Sequence, residues 1–85
     1  MRSIKIDDKT YHIRPAKVGE FRKLQDQHKD DTSFGAALLS TCVVDKNGSQ
    51  MFTLEQVDEL DLPLYQTLTG IVTEVNGPKE GQEKN

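Results

Sequence analysis

The sequence predicts a mainly α domain of the α+β class, a short N-terminal β-hairpin packed on a bundle of about four helices. Three observations predict it. Ile4, Ile6, Tyr11 and Ile13 alternate with polar residues around Asp7-Asp8-Lys9-Thr10, the period-two pattern of paired strands. The chain from Val18 to Val75 instead repeats its apolar residues at helical spacing. Helix start and stop signals then cut that region into segments.

If Asp8-Lys9 form the turn, Ile6 faces Tyr11 and Ile4 faces Ile13. All four apolar side chains then share one face. A lone hairpin is not stable in water, so that face must pack on helices. His12 points the other way, toward solvent. Pro15 ends the second strand.

The first helix reads from about Val18 to Lys29, with Val18, Phe21, Leu24 and His28 on one narrow side. Gly19 weakens its first turn. His28 favours its C-terminal dipole. Asp30-Asp31-Thr32-Ser33 breaks this helix and offers cap oxygens to the next. The second helix reads from about Ser33 to Val44. Phe34, Ala37, Leu38, Thr41 and Cys42 form one face, and Leu39 and Val43 widen it. A helix apolar on most sides is a central one.

Asn47-Gly48 marks a turn. Thr53 and Gln56 have the spacing of a capping box, flanked by Phe52 and Val57 as staple residues. A short third helix therefore starts at Leu54 and ends near Leu60. Asp61 caps the last helix, and Pro63 sits in its first turn, where a missing N–H costs little. Leu64, Leu68, Ile71, Val72 and Val75 follow at helical spacing until Asn76-Gly77-Pro78 stops them. The expected organisation is one domain over residues 1–77, with residues 78–85 (PKEGQEKN) a disordered polar tail.

Composition excludes several function classes. The net charge is -3, with charged residues scattered along the chain and no basic block, which argues against nucleic acid as a partner. No apolar run reaches the roughly 18 residues of a membrane span, so no membrane role is expected. The N-terminus lacks a signal-peptide pattern, and the expected location is the cytoplasm. The single cysteine, Cys42, leaves no internal disulfide and no multi-thiolate zinc site, and its apolar setting suits a buried, inert thiol.

The stretch from Asp45 to Gln56 has the rhythm of a calcium-binding helix–loop–helix. Asp45, Asn47 and Ser49 take the first, third and fifth places, and Phe52 the eighth. The sixth place should be Gly for the sharp bend and the twelfth Glu for bidentate grip. Here they are Gln50 and Gln56, and a neutral amide does not replace the carboxylate. The bland alternative is a helix–turn–helix connection, with Gln56 used as the cap partner of Thr53. Asp58, Glu59 and Asp61 cluster around a short helix, as an exposed helix face does. No phosphate-binding Gly loop, nucleophile elbow or Cys/His pair is present. No catalytic, cofactor or metal residue is assigned, and a binding protein without enzymatic activity is expected.

The order of elements carries a resemblance over about residues 4 to 77. "IKIDDKTYHIRP" opens, followed by "VGEFRKLQD", "ALLSTCVVDKNGSQMFTLEQVDEL" and "LPLYQTLTGIVTEVNG". This resembles the small tail assembly chaperones of long-tailed (siphovirus-like) bacteriophages and prophages. The shared features are a GEF-type helix opening after a hairpin, a helix running into an FT-containing turn, and a closing helix ending in NG. Lys17 departs from the pattern, where a Thr or Ser cap suits, as does Gln56, where Glu is common.

The resemblance implies a chaperone that binds the tape-measure protein and keeps its hydrophobic helical segments soluble. Such proteins help recruit tail-tube subunits, are absent from the mature virion and need no cofactor. It also implies a frameshifted longer form that reaches the tail-tube protein. Gly77-Pro78-Lys79 can be encoded GGC-CCA-AAG, which contains the slippery run CCCAAAG; other codons are equally legal, and the gene sequence decides. Self-association in rows is a further expectation. The narrow stripe of Val18, Phe21 and Leu24, extended by Phe34, is the candidate partner-binding surface. The competing reading of these four is that they complete the core. The competing functions are a small adaptor or regulatory helical domain and a degenerate EF-hand-like calcium module.

Overall fold

A computed structural model describes residues 2–77. The expected tail, residues 78–85, lies outside the described residues. The element order is β1 (Arg2–Ile6), β2 (Lys9–Ile13), α1 (Val18–Gln27), α2 (Asp31–Cys42), β3 (Val43–Val44), α3 (Leu54–Asp58) and α4 (Leu62–Val75). The architecture is α+β, as the patterning predicts.

The hairpin forms, but in a different register. Ile4 pairs with Tyr11, Ile6 with Lys9 and Arg2 with Ile13. The turn is Asp7-Asp8, with φ of 50° and 67°. Asp tolerates the left-handed region because its short polar side chain bonds locally, so a tight hairpin turn forms without glycine. The shift preserves strand parity, so the apolar side chains keep one shared face. Tyr11 and Ile13 are buried there, and Ile4 and Ile6 pack against the core. On the other face the Ser3 hydroxyl and His12 Nδ1 are 2.8 Å apart, so His12 has a protein partner as well as solvent.

Val43 and Val44 leave the second helix and form β3, antiparallel to β2, with His12 opposite Val44 and Ile13 opposite Val43. The sheet order is β1-β2-β3. The helix expected to reach Val44 thus ends at Cys42. β-branched valines favour extended backbone, and the open edge of β2 offers them partners. The Arg14 N–H continues this junction by donating to the Cys42 carbonyl at 2.9 Å. The helix also starts earlier than expected. Asp30 is its N-cap, accepting from the Ser33 N–H at 2.8 Å.

The helix after the turn is signalled correctly. The Thr53 hydroxyl accepts from the Gln56 N–H at 3.2 Å, and Gln56 Oε1 accepts from the Thr53 N–H at 2.9 Å. Val57 is buried, while Phe52 stacks on Tyr11 with ring centroids 6.2 Å apart. The helix stops at Asp58 rather than Leu60. In α4, Pro63 lies in the first turn, and Asp61 occupies the N-cap position without a side-chain cap bond.

α2 is the central element, as its all-round apolar pattern predicts. It touches α1, α3, α4 and β3, and Ala37, Leu38, Leu39, Ser40 and Cys42 are all buried. Leu39, Ile13, Leu68, Val43 and Cys42 are fully enclosed. The core joins the inner face of the sheet to α2, Val57 and the Leu68, Ile71 and Val72 face of α4.

Candidate functional site

The α1 stripe is divided by the fold. α1 contains no buried residue. Phe21 meets Phe34 of α2 edge to face, with ring centroids 5.1 Å apart, and both pack against the core with Leu24. Val18 is 69% exposed. The structure therefore brings Phe21 and Phe34 together and seats Leu24 on the core. It leaves Val18 in solvent at the start of the helix.

α1 is fastened at its N-terminus by a charge-assisted network. Arg14 donates two hydrogen bonds to the Glu20 carboxylate, at 3.0 and 2.9 Å. The same carboxylate accepts from the Lys17 N–H at 2.9 Å. A lysine ammonium has no acceptor to return the bond, so Glu20 supplies this cap alone. The Arg14 hydrogen bonds, then the Lys17 N–H, hold the Glu20 carboxyl down at about 2.

A second apolar surface lies where α2, α3 and the start of α4 meet. It is a groove of about 390 Å³, lined by Ala36, Leu54, Val57, Leu60, Leu62 and Tyr65, with His28 and Asp58 among its polar edges. Leu54 is 40% exposed and Leu62 is 63% exposed. The sequence builds it by placing a short helix and a helix start back to back. The Thr53–Gln56 capping box starts α3, and Asp61-Leu62-Pro63 starts α4 only a few residues later. The bend between them turns Leu54, Leu60 and Leu62 toward one hollow. His28 ends the α1 stripe and also lines this groove, so the two apolar surfaces adjoin there.

Sequence reading missed this groove, and it also missed the charge pattern around it. The charges are not scattered but divided. Residues 2–29 carry Arg2, Lys5, Lys9, Arg14, Lys17, Arg22, Lys23 and Lys29 against Asp7, Asp8, Glu20 and Asp26. Residues 30–77 carry only Lys46 against Asp30, Asp31, Asp45, Glu55, Asp58, Glu59, Asp61 and Glu74. None of α2, α3 and α4 contains a lysine or arginine. A net-charge count averages this away; counting by segment finds it.

The loop after β3 is a backbone turn organised by Asp45. Asp45 Oδ1 accepts from the Asn47 N–H at 2.8 Å and the Ser49 N–H at 3.0 Å. The Ser49 N–H bond and then the Asn47 N–H bond lower the Asp45 carboxyl from its ordinary range. Gly48 supplies the positive φ of 85°. Gln50, at the sixth place of the calcium pattern, turns inward. Its Nε2 donates to Ser40 Oγ at 2.6 Å and to the Phe52 carbonyl at 2.8 Å. The Ser40 hydroxyl donates to that carbonyl as well, at 2.8 Å. Asp45, Asn47 and Ser49, the residues that suggest calcium, thus close the loop on itself, and Gln50, which breaks the calcium pattern, ties it to α2. Among the described residues, no group of three or more His, Cys, Asp and Glu side chains is placed to hold a metal ion.

Cys42 is buried, and burial raises its thiol, which suits a packing role. Among the described residues, no helix is long and apolar enough to cross a membrane.

Comparison with known proteins supplies the family. No curated protein matches the chain, and no solved structure does. The profile of the family described as "Phage tail assembly chaperone, TAC" matches residues 3–76, from β1 to the C-cap of α4. An assembly-chaperone family implies a non-enzymatic role with protein partners in tail assembly. The match spans the hairpin, the central helix, the capped turn and the closing helix, the same elements that carry the resemblance in the sequence, and the chain belongs to the phage tail assembly chaperone family.

Proposed function

We propose that this protein binds the phage tape-measure protein in the host bacterial cytoplasm, keeps its apolar helical segments soluble, and helps recruit tail-tube subunits around it. It leaves before the virion is complete and performs no chemistry. The observation that carries this reading is the family match over residues 3–76, nearly the whole described fold. The small scaffold supports it by keeping apolar side chains in solvent, among them Val18, Leu54 and Leu62. Residues 1–77 act as the chaperone domain. A frameshifted longer form that contacts the tail-tube protein, and self-association along the tape measure, belong to the same reading.

The α1 surface of Val18, Phe21, Leu24 and Phe34 is part of this proposal. Val18→Asp probes it cleanly, because Val18 is exposed and packs on nothing that the core requires. Phe21→Asp breaks the edge-to-face pair with Phe34 and therefore tests the attachment of α1 as much as partner contact.

Co-expression with the tape-measure protein encoded nearby, followed by affinity purification, tests the function. Co-purification with recovery of the soluble long partner is expected. A partner that stays insoluble and unbound removes the chaperone reading for this pair and leaves a family fold without that activity.

A further inference from the structure

We propose that the groove between α2, α3 and α4 receives a cationic amphipathic helix of the partner, apolar face inward and Lys or Arg side chains along its edges. The identity of the partner rests on the chaperone reading above; the chemistry of the groove does not. Three features point to this occupant.

The first is shape and polarity. The hollow of about 390 Å³ lies between helices, and Ala36, Leu54, Val57, Leu60, Leu62 and Tyr65 form its apolar lining. Leu62 stands 63% exposed at the first position of α4, uncovered among the described residues. Grooves between helices take an amphipathic helix through apolar anchors spaced by three or four residues.

The second is charge. Glu55, Asp58 and Glu59 lie on or beside α3, Asp61 precedes Leu62, and Asp30 and Asp31 open α2. No lysine or arginine lies on the three helices that form the groove. The nearest cation in sequence, Lys29, lies 3.8 Å from Asp26 of α1. An acidic helix laid in this groove meets like charge on each of these helices, and a basic one meets opposite charge.

The third is that these carboxylates have few other tasks. Asp61 makes no side-chain cap bond. Among the described residues, Glu55, Asp58, Glu59 and Asp61 form no ion pair. Asp30 caps α2, and Asp31 and Glu55 sit in helix first turns, where a carboxylate is favourable by itself; Asp58, which lines the groove, has no such task.

The test uses the full chain, isotope-labelled for NMR, and two synthetic amphipathic peptides of equal length. They share one leucine face; one carries lysines on its flanks and the other glutamates. The lysine peptide is expected to shift amides of α3, the first turn of α4 and the N-terminal half of α2, more weakly as salt rises. The glutamate peptide is expected to leave them unmoved. Leu62→Asp should weaken the lysine peptide about tenfold or more, as loss of a central anchor does. An exposed position at a helix N-terminus tolerates Asp, so the fold is retained. Asp58→Lys should shift preference toward the glutamate peptide.

Equal binding of both peptides, shifts confined to α1, or full binding by Leu62→Asp would each overturn the proposal. Concentration-dependent self-association that Leu62→Asp abolishes would assign the groove to a second copy and overturn it too. The two proposals fail separately. A Leu62→Asp variant that still holds the tape-measure protein ends the groove assignment and spares the chaperone reading. A wild-type chain that binds the lysine peptide in the groove but never the tape-measure protein does the reverse.

Discussion

Asn76 and Ala16, 60 residues apart in sequence, are joined by a 2.7 Å hydrogen bond from the Ala16 N–H to Asn76 Oδ1. The other end of the same amide donates to the Val72 carbonyl at 2.9 Å and lies 3.7 Å from Cys42 Sγ. One side chain thus closes the end of α4 and holds the connector between β2 and α1 beside α2. It is the residue that the sequence marks only as a helix stop.

Replacing it should therefore cost more than a helix terminus. Asn76→Ala leaves the Ala16 N–H, in a partly buried setting, without its acceptor. The expected loss is about 1–3 kcal/mol. A domain of this size then melts roughly 4–8 °C lower per kcal/mol. Thermal unfolding of the variant measures this; a change within error would mean that water replaces the amide there without loss. Hydrogen exchange should also quicken at Ala16 before it does in α2.

The Arg14–Glu20 pair predicts an acid-sensitive α1. Glu20 titrates at about 2 in the folded chain against an ordinary 4.5. A carboxyl lowered on folding stabilises fully above its unfolded value and loses that contribution as pH falls through the folded one. The contribution is thus complete above about pH 4.5 and gone near pH 2. Both side chains are partly exposed, so solvent screening limits it to less than about 1 kcal/mol. Glu20→Gln should melt slightly below wild type at neutral pH, and the two should converge toward pH 2. A constant gap across that range would show that the carboxylate charge is not what fastens α1.

The Asp45 loop predicts indifference to calcium. Its first-place carboxylate is engaged by the Asn47 and Ser49 N–H groups, and Gln50 is engaged by Ser40. Millimolar calcium should leave the melting midpoint unchanged, whereas a ligand of the folded state raises it. Asp45→Ala should lower the midpoint by loosening the turn, equally with and without calcium. A calcium-dependent rise that Asp45→Ala abolishes would restore the metal-binding reading.

Local signals were legible wherever the residues that make a feature are neighbours. The Thr53–Gln56 capping box, the Asn76-Gly77 stop and the parity of the hairpin face each need only a few adjacent residues, and all are present as read; the Asp30–Ser33 break is present too, but the helix it caps starts earlier than read. β3 was not legible. Val43-Val44 continue the apolar pattern of α2, and a strand of two residues exists only because β2 leaves an edge beside it. The hairpin register was settled by whether Asp7 and Asp8 would take positive φ, which alternation does not encode.

The functional surfaces divide the same way. By itself the sequence determined the α+β class, the central place of α2, the turn at Asn47-Gly48 and the ordered segments that resemble tail assembly chaperones, because periodicity, caps and motif order are written in consecutive residues. Only the tertiary structure decided that Phe21 and Leu24 lean on the core while Val18 stays free, and that Leu54 and Leu62 border a groove. Exposure depends on the angle at which helices meet, and that angle is set by the packing of residues distant in the chain.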